Sequence, residues 1–204
     1  MEKFFALPKE RQDFIVAAAM GVFGASGYKK AYISDIAAAA GISKALVFHY
    51  FGNKKTLYLY LIEYAGSAMI TEVQQKREIA NTDFFDKVID ATKLKLGIMG
   101  RYPAMAGFLA SMYYEGDPEV ADEVGKLLLE GEDVRQQITL EGADEHKFKE
   151  GVDPKLVLNI LVKFTEGVVG SRLDNARPLD EIMFEFTQCL NLLKNNLYKE
   201  EYLK

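Results

Sequence analysis

Cysteine is nearly absent from this 204-residue chain, with Cys189 standing alone, and histidine is limited to His49 and His146. One cysteine excludes an intrachain disulfide, and with two distant histidines it cannot assemble a zinc ligand set. The sequence therefore predicts no metal and no cofactor, and fits a reducing compartment. Long hydrophobic runs are missing too: Leu156 to Val169, the most apolar stretch, is broken by Asn159, Lys163 and Glu166. It falls short of the roughly 18 apolar residues that a membrane span needs. The opening MEKFFALPKERQDF turns charged before any secretory core develops. With 49% hydrophobic residues, the expectation is a cytoplasmic globular protein with one large domain or two small ones.

Sustained strand-type alternation is also lacking, and Gly-Pro and Asn-Gly turns are few, so the fold class is all-α. A first helix should open near Pro8 and bury Ile15, Ala18, Ala19, Val22 and Phe23, with Gly27 as its left-handed end. Shorter helices follow over Ile33 to Ala40 and Lys44 to Phe51, and a linking helix over about 53–76. Further helices are predicted at Asp83 to Gly100, Pro103 to Tyr114, Pro118 to Lys147, Pro154 to Arg172 and Pro178 to Tyr202. Asp117-Pro118 and Asp153-Pro154 supply a cap and a first-turn proline.

Within this pattern, AAAAGISKALVFHYFGNK (37–54) describes two short helices joined by a tight turn. Ala37 allows close helix contact, Gly41 tolerates positive φ, Ser43 caps the second helix, and Val47 plugs its inner side. On a 100° wheel Val47 and Phe51 share that inner side, while Ala45 and His49 lie opposite, flanked by Leu46 and Phe48. A solvated helix would carry charges there. This one offers groups suited to thymine methyls and to hydrogen bonds in a major groove, with Lys44 in reach of a guanine edge or a phosphate. Lys54, Tyr50, Ser34 and Ser43 are the candidate phosphate contacts, with Lys29 and Lys30 in the preceding loop. Each has a plainer reading: capping for the serines, packing for Tyr50, solvation for the lysines. The net charge of −5 divides unevenly, since residues 1–66 hold eight Lys/Arg against five Asp/Glu and the remainder seventeen against twenty-five. That polarity can orient the front of the molecule toward phosphates.

Residues Ile15 through Leu61 resemble the amino-terminal domain of TetR-type transcriptional regulators. The match is carried by Ala18-Ala19, Phe23, Gly27-Tyr28, Ile36-Ala37, Ala40-Gly41-Ile42-Ser43-Lys44, His49-Tyr50-Phe51, Asn53-Lys54 and Leu57. Two departures stand out. Tyr32-Ile33 replaces a pair of hydroxyl residues, and Phe48 stands where the family often has tyrosine. The resemblance implies a helix-turn-helix domain, here 1–52, followed by a larger helical domain for effector binding and dimerisation, here 53–204.

In that rear part, Leu156 to Val169 is apolar nearly all round. The last helix has one stripe of Ile182, Phe186, Cys189, Leu190, Leu193 and Leu197 and a second of Phe184 and Leu192. Helices of this kind need burial on two sides, so a homodimer through the last two helices is expected, with Gly167, Gly170 and Ser171 permitting close approach. A twofold dimer would read a near-palindromic double-stranded operator. Met105, Phe108, Leu109 and Met112 form a stripe that serves either core or an adaptable apolar pocket. Met105, Phe108, Met112, Tyr113, Phe164 and Glu166 are the candidate effector contacts. An enzyme is not expected, because Cys189 or a scattered serine with His146 forms no nucleophile–base motif. The expectation is a ligand-responsive repressor released by a small apolar effector. The alternative is a DNA-binding dimer without an effector, acting through protein partners or as a DNA organiser.

Overall fold

The computed structural model describes residues 1–75, 81–175 and 179–203, without the side chains of 72–75, 166, 168–175 and 179. Among the described residues the regular elements are all helices: α1 (Glu2–Phe5), α2 (Lys9–Lys30), α3 (Ile33–Ala39), α4 (Lys44–Phe51), α5 (Lys54–Gln75), α6 (Phe84–Arg101), α7 (Pro103–Met112), α8 (Ala121–Leu140), α9 (Pro154–Asn175) and α10 (Leu179–Leu197). Single 3₁₀ turns lie at Glu145–Lys147 and Glu200–Tyr202. The all-α expectation holds.

Several helix ends differ from the sequence reading. The short α1 is additional, and its Phe4 is fully buried. Helix α2 carries on past Gly27, whose φ of 68° and ψ of 171° break it sharply before a last turn through Lys30. The helix expected over Pro118 to Lys147 is shorter at both ends. Asp117 Oδ1 accepts the Glu119 N–H in a preliminary turn, and the chain reverses at Gly142, with φ 68°. Helix α10 ends at Leu197 rather than Tyr202. Helix α9 does start at Pro154, where Asp153 Oδ1 accepts the Lys155 N–H at 2.9 Å. Pro178 lies outside the described residues.

Contacts divide the chain into two compact units, residues 1–75 with 95–131, and residues 76–94 with 132–204. The helix-turn-helix is thus part of a larger front unit that includes α5 and α7, whereas the motif alone suggested a division after residue 52. In the front unit the rings of Phe23, Tyr28, Tyr58 and Phe108 interlock, with Phe23–Tyr58 centroids 4.9 Å apart and Tyr58–Phe108 5.3 Å. Such edge-on pairs contribute beyond their buried area. Helix α2 lies so close to α7 that a Cβ on Gly24 would sit 2.8 Å from the Phe108 backbone nitrogen. Only glycine fits there. Glu115, beyond α7, ties the two further: its Oε2 accepts the Tyr28 N–H at 2.8 Å.

The rear unit is built around Phe84, Phe85, Phe148, Tyr198, Phe186 and Leu190. Its polar anchor is Asp83, immediately before α6. Asp83 Oδ1 accepts the Phe85 and Asp86 N–H groups, and the carboxylate pairs with Lys147 and Lys194, each at 3.1 Å. Burial alone would raise the Asp83 pKa, but hydrogen bonds from Lys194, Lys147 and the Asp86 backbone outweigh it and hold it below its ordinary 3.8. A depressed carboxylate pKa stabilises the fold above its unfolded value and loses that contribution as pH falls through the folded one. Because both lysines keep some solvent contact, Asp83→Asn should cost about 2 kcal/mol at neutral pH. In urea unfolding of both proteins, the difference should shrink as the pH is taken below about 3.8.

Candidate nucleic-acid interface

The helix-turn-helix is built around a short helix held on one side. Gly41, with φ 60°, turns the chain after α3, and the Ile42 N–H returns to the Ala37 carbonyl at 3.0 Å. Ser43 then caps α4, its Oγ accepting the Leu46 N–H at 3.2 Å. Val47 and Phe51 are buried while Lys44, Ala45, Leu46, Phe48 and His49 are exposed. The wheel derived from the sequence is therefore the arrangement observed: the two inward side chains anchor the helix, each worth about 1.5–3 kcal/mol of burial, and an apolar face with one imidazole is left in solvent. Leu46 and Phe48 are 38% and 40% exposed. Lys44 Nζ lies 5.9 Å from the Phe48 ring centre, over the same face.

The flanking candidates are differently placed. Tyr32, not Ser34, occupies the N-cap of α3, and Ser34 stands one residue inside, its hydroxyl donating to Asp35 Oδ1 at 3.3 Å. Tyr32 is 65% exposed. Tyr50 is half-buried, with its ring 6.1 Å from Phe4. Lys54 is held: its Nζ donates to the Lys29 carbonyl and sits 4.4 Å above the Tyr28 ring. Burial pushes the Tyr28 phenol well above its usual range, so this is a cation over a neutral ring. Lys29 and Lys30 are exposed.

Arg11 and Phe4 escaped the sequence reading, and Asn53, read there only as a break and as part of the resemblance, has a further role as a cap. Arg11 donates from Nη2 to the Gly41 carbonyl at 3.1 Å, pinning the turn to α2. Asn53 caps α5, its Oδ1 accepting the Thr56 N–H at 2.8 Å; asparagine ahead of a helical run was the available signal. Phe4 packs beneath α4, and nothing local marks an apolar residue for that role.

The candidate effector residues fall in both units. Met105, Phe108 and Met112 are buried on α7 of the front unit, Phe108 completely, and Tyr113 is half-buried at the end of that helix. Phe164 belongs to the rear unit and stacks on Phe186. The Glu166 side chain lies outside the described residues. Among the described residues no group of three or more His, Cys, Asp or Glu side chains is placed to hold a metal ion. Nor is any helix there long and apolar enough to cross a membrane.

The two short helices α3 and α4, joined at Gly41 and with α4 capped and anchored on one side, have the form of a helix-turn-helix. Residues 15–61 match the family described as bacterial regulatory proteins, tetR family. The "Fatty acid metabolism regulator protein" of Bacillus subtilis (strain 168) is 23% identical over 199 residues, 95% of this chain and 97% of that protein. Among solved structures, the fatty acid degradation regulator FadR from Bacillus halodurans superposes with a TM-score of 0.72 at 20% identity, over 87% of this chain and 96% of that one. The Bacillus subtilis transcriptional regulator FadR in complex with stearoyl-CoA gives 0.71 at 20% identity, over 89% and 96%. Residues 15–61 thus match the DNA-binding segment of the tetR family, and the chain as a whole shares the fold of these regulators.

Ser43→Ala removes the cap of α4 without touching its inner face. Thermal unfolding should show a loss of about 1 kcal/mol, and an unchanged stability would mean that the cap contributes nothing in this setting.

Proposed function

We propose that the chain is a cytoplasmic, non-enzymatic repressor that binds a near-palindromic operator as a homodimer and is released by an apolar small molecule. The observation that carries the DNA half is the solvent-facing set Ala45, Leu46, Phe48 and His49 on a helix anchored by Val47 and Phe51. In this reading those four and Lys44 meet base edges, and Ser34, Ser43, Tyr50 and Lys54 meet phosphates. Lys54 would reach a phosphate by leaving the Lys29 carbonyl while remaining over Tyr28.

The dimer is supported by the rear helices. Leu156 and Ile160 on α9 are 58% and 53% exposed, and Phe184 and Leu192 on α10 are 68% and 64%, whereas Val157, Leu161, Phe186 and Leu190 of the same helices are core. Large side chains left in water on one face are what a partner copy would cover. The effector class is supported by likeness to proteins named for fatty acid regulation, one of them solved with stearoyl-CoA. Met105, Phe108, Met112 and Tyr113, on and beside α7 of the front unit, are its proposed contacts. The apo dimer holds the operator, and the ligand favours a conformation that does not.

The test uses a duplex selected by the protein from random DNA. Lys44→Ala should relax preference at one position by about 1–3 kcal/mol, whereas Lys54→Ala should weaken all duplexes similarly and flatten the salt slope. The reverse pattern would exchange the two roles. Stearoyl-CoA should lower affinity for the selected duplex about 5- to 150-fold. Tight binding of stearoyl-CoA with affinity unchanged would contradict the proposed coupling.

A further inference from the structure

Phe4 lies outside residues 15–61, the segment that matches the family, and no role in DNA reading follows from the motif. Yet it is fully buried, on a four-residue helix that could not hold itself in water. Its ring is 4.8 Å from that of Phe51, 5.7 Å from Tyr60 and 6.1 Å from Tyr50. Phe51 and Tyr50 close the last turn of α4, so Phe4 lies under the end of the helix opposite the Ser43 cap. Of the rings around Phe51, Phe4 is nearer than Tyr60 at 5.8 Å or Tyr50 at 6.3 Å.

Phe4 is also fixed independently of the helix it supports. The Gln12 side-chain amide, on α2, donates to the Phe5 carbonyl at 3.1 Å and the Leu7 carbonyl at 2.8 Å. The Leu7 N–H bonds the Phe4 carbonyl at 3.1 Å. The arm from Glu2 to Leu7 is therefore stapled to α2. A ring held from α2 is thereby placed against the inner side of α4. Phe48 and His49 are exposed on the same turn of α4, so a change in the tilt of α4 moves them directly.

We propose that Phe4 is a positioning residue for the reading helix: anchored through Gln12, it wedges under Phe51 and Tyr50 and aims the exposed face of α4. The proposal rests on α4 being the element that reads DNA. Losing the wedge opens a cavity beneath the end of α4, which releases the aim of that helix while the phosphate contacts proposed on other elements, Ser34 and Lys54, stay in place.

The full-length protein and its Phe4→Ala, Phe4→Leu and Gln12→Ala variants would be compared in two ways. Amide hydrogen exchange without DNA should show faster exchange in α4 for Phe4→Ala, with α2 and α10 unchanged. Anisotropy with the selected duplex and a scrambled one should show the affinity ratio falling about tenfold, the scale of one good base contact, because scrambled binding falls much less than selected binding. Phe4→Leu, which refills most of the volume, should restore both readouts, and Gln12→Ala should reproduce part of the defect with the ring intact. The proposal is overturned if α4 keeps its protection in Phe4→Ala. It is equally overturned if exchange quickens in α2 as much as in α4, since Phe4 would then be a general core residue. Because exchange is read without DNA, faster exchange confined to α4 supports the wedge even if the wild-type protein selects no duplex, an outcome that would refute the regulator reading instead.

Discussion

An eight-residue helix has little stability of its own in water, and α4 must nevertheless be held with five of its eight residues exposed to solvent. That requirement governs the front of the molecule. Only the inner side is available for anchoring, so Val47 and Phe51 carry the burial and the two ends carry the rest. Ser43 satisfies the amino-terminal end, Gly41 lets the chain arrive at it from α3, and Arg11 holds the turn from α2. At the other end Gly52, with φ 78°, and the Asn53 cap launch α5 directly. The price of this one-sided support is an exposed apolar face whose side chains gain little until a partner covers them.

The same constraint explains why the compact front unit extends beyond the motif. Helices α2 and α5 supply the floor of the head, and both continue into an aromatic cluster shared with α7 through Phe108. Backbone contact at Gly24 and the Glu115–Tyr28 hydrogen bond leave little room for α7 to shift without moving α2. Packed cores respond to displacement as rigid bodies rather than by continuous deformation. A ligand that displaced α7 would therefore act on the floor of the reading head.

Legibility in the sequence follows the range of the interactions. The turn at Gly41, the Ser43 cap and the division of α4 into an inner Val47–Phe51 side and an outer Ala45–His49 side depend on residues within one turn of each other. All were readable. The start of α9 at Asp153-Pro154 is equally local, whereas Asp117-Pro118 shows that a cap followed by proline can begin a turn rather than a helix. The helix predicted over Pro118 to Lys147 runs through Gly142, where positive φ and the Lys147–Asp144–Asp83 cluster turn the chain. Asp83 meets lysines 64 and 111 residues away, and no local pattern encodes those pairings. Phe4 and Arg11 were illegible for the same reason, since their partners belong to other helices.

The account depends most on α4 reading bases from a twofold dimer. Hydroxyl-radical footprinting of the wild-type protein, at fixed salt, on the DNA flanking its own coding region addresses this directly. Two protected patches on one face of the duplex, related by a near-palindrome and centred about 34–36 Å apart or a multiple of that, are the predicted result. Weak, uniform protection of all duplexes that fades with salt would mean binding to phosphates without base reading, and would contradict the assignment of α4.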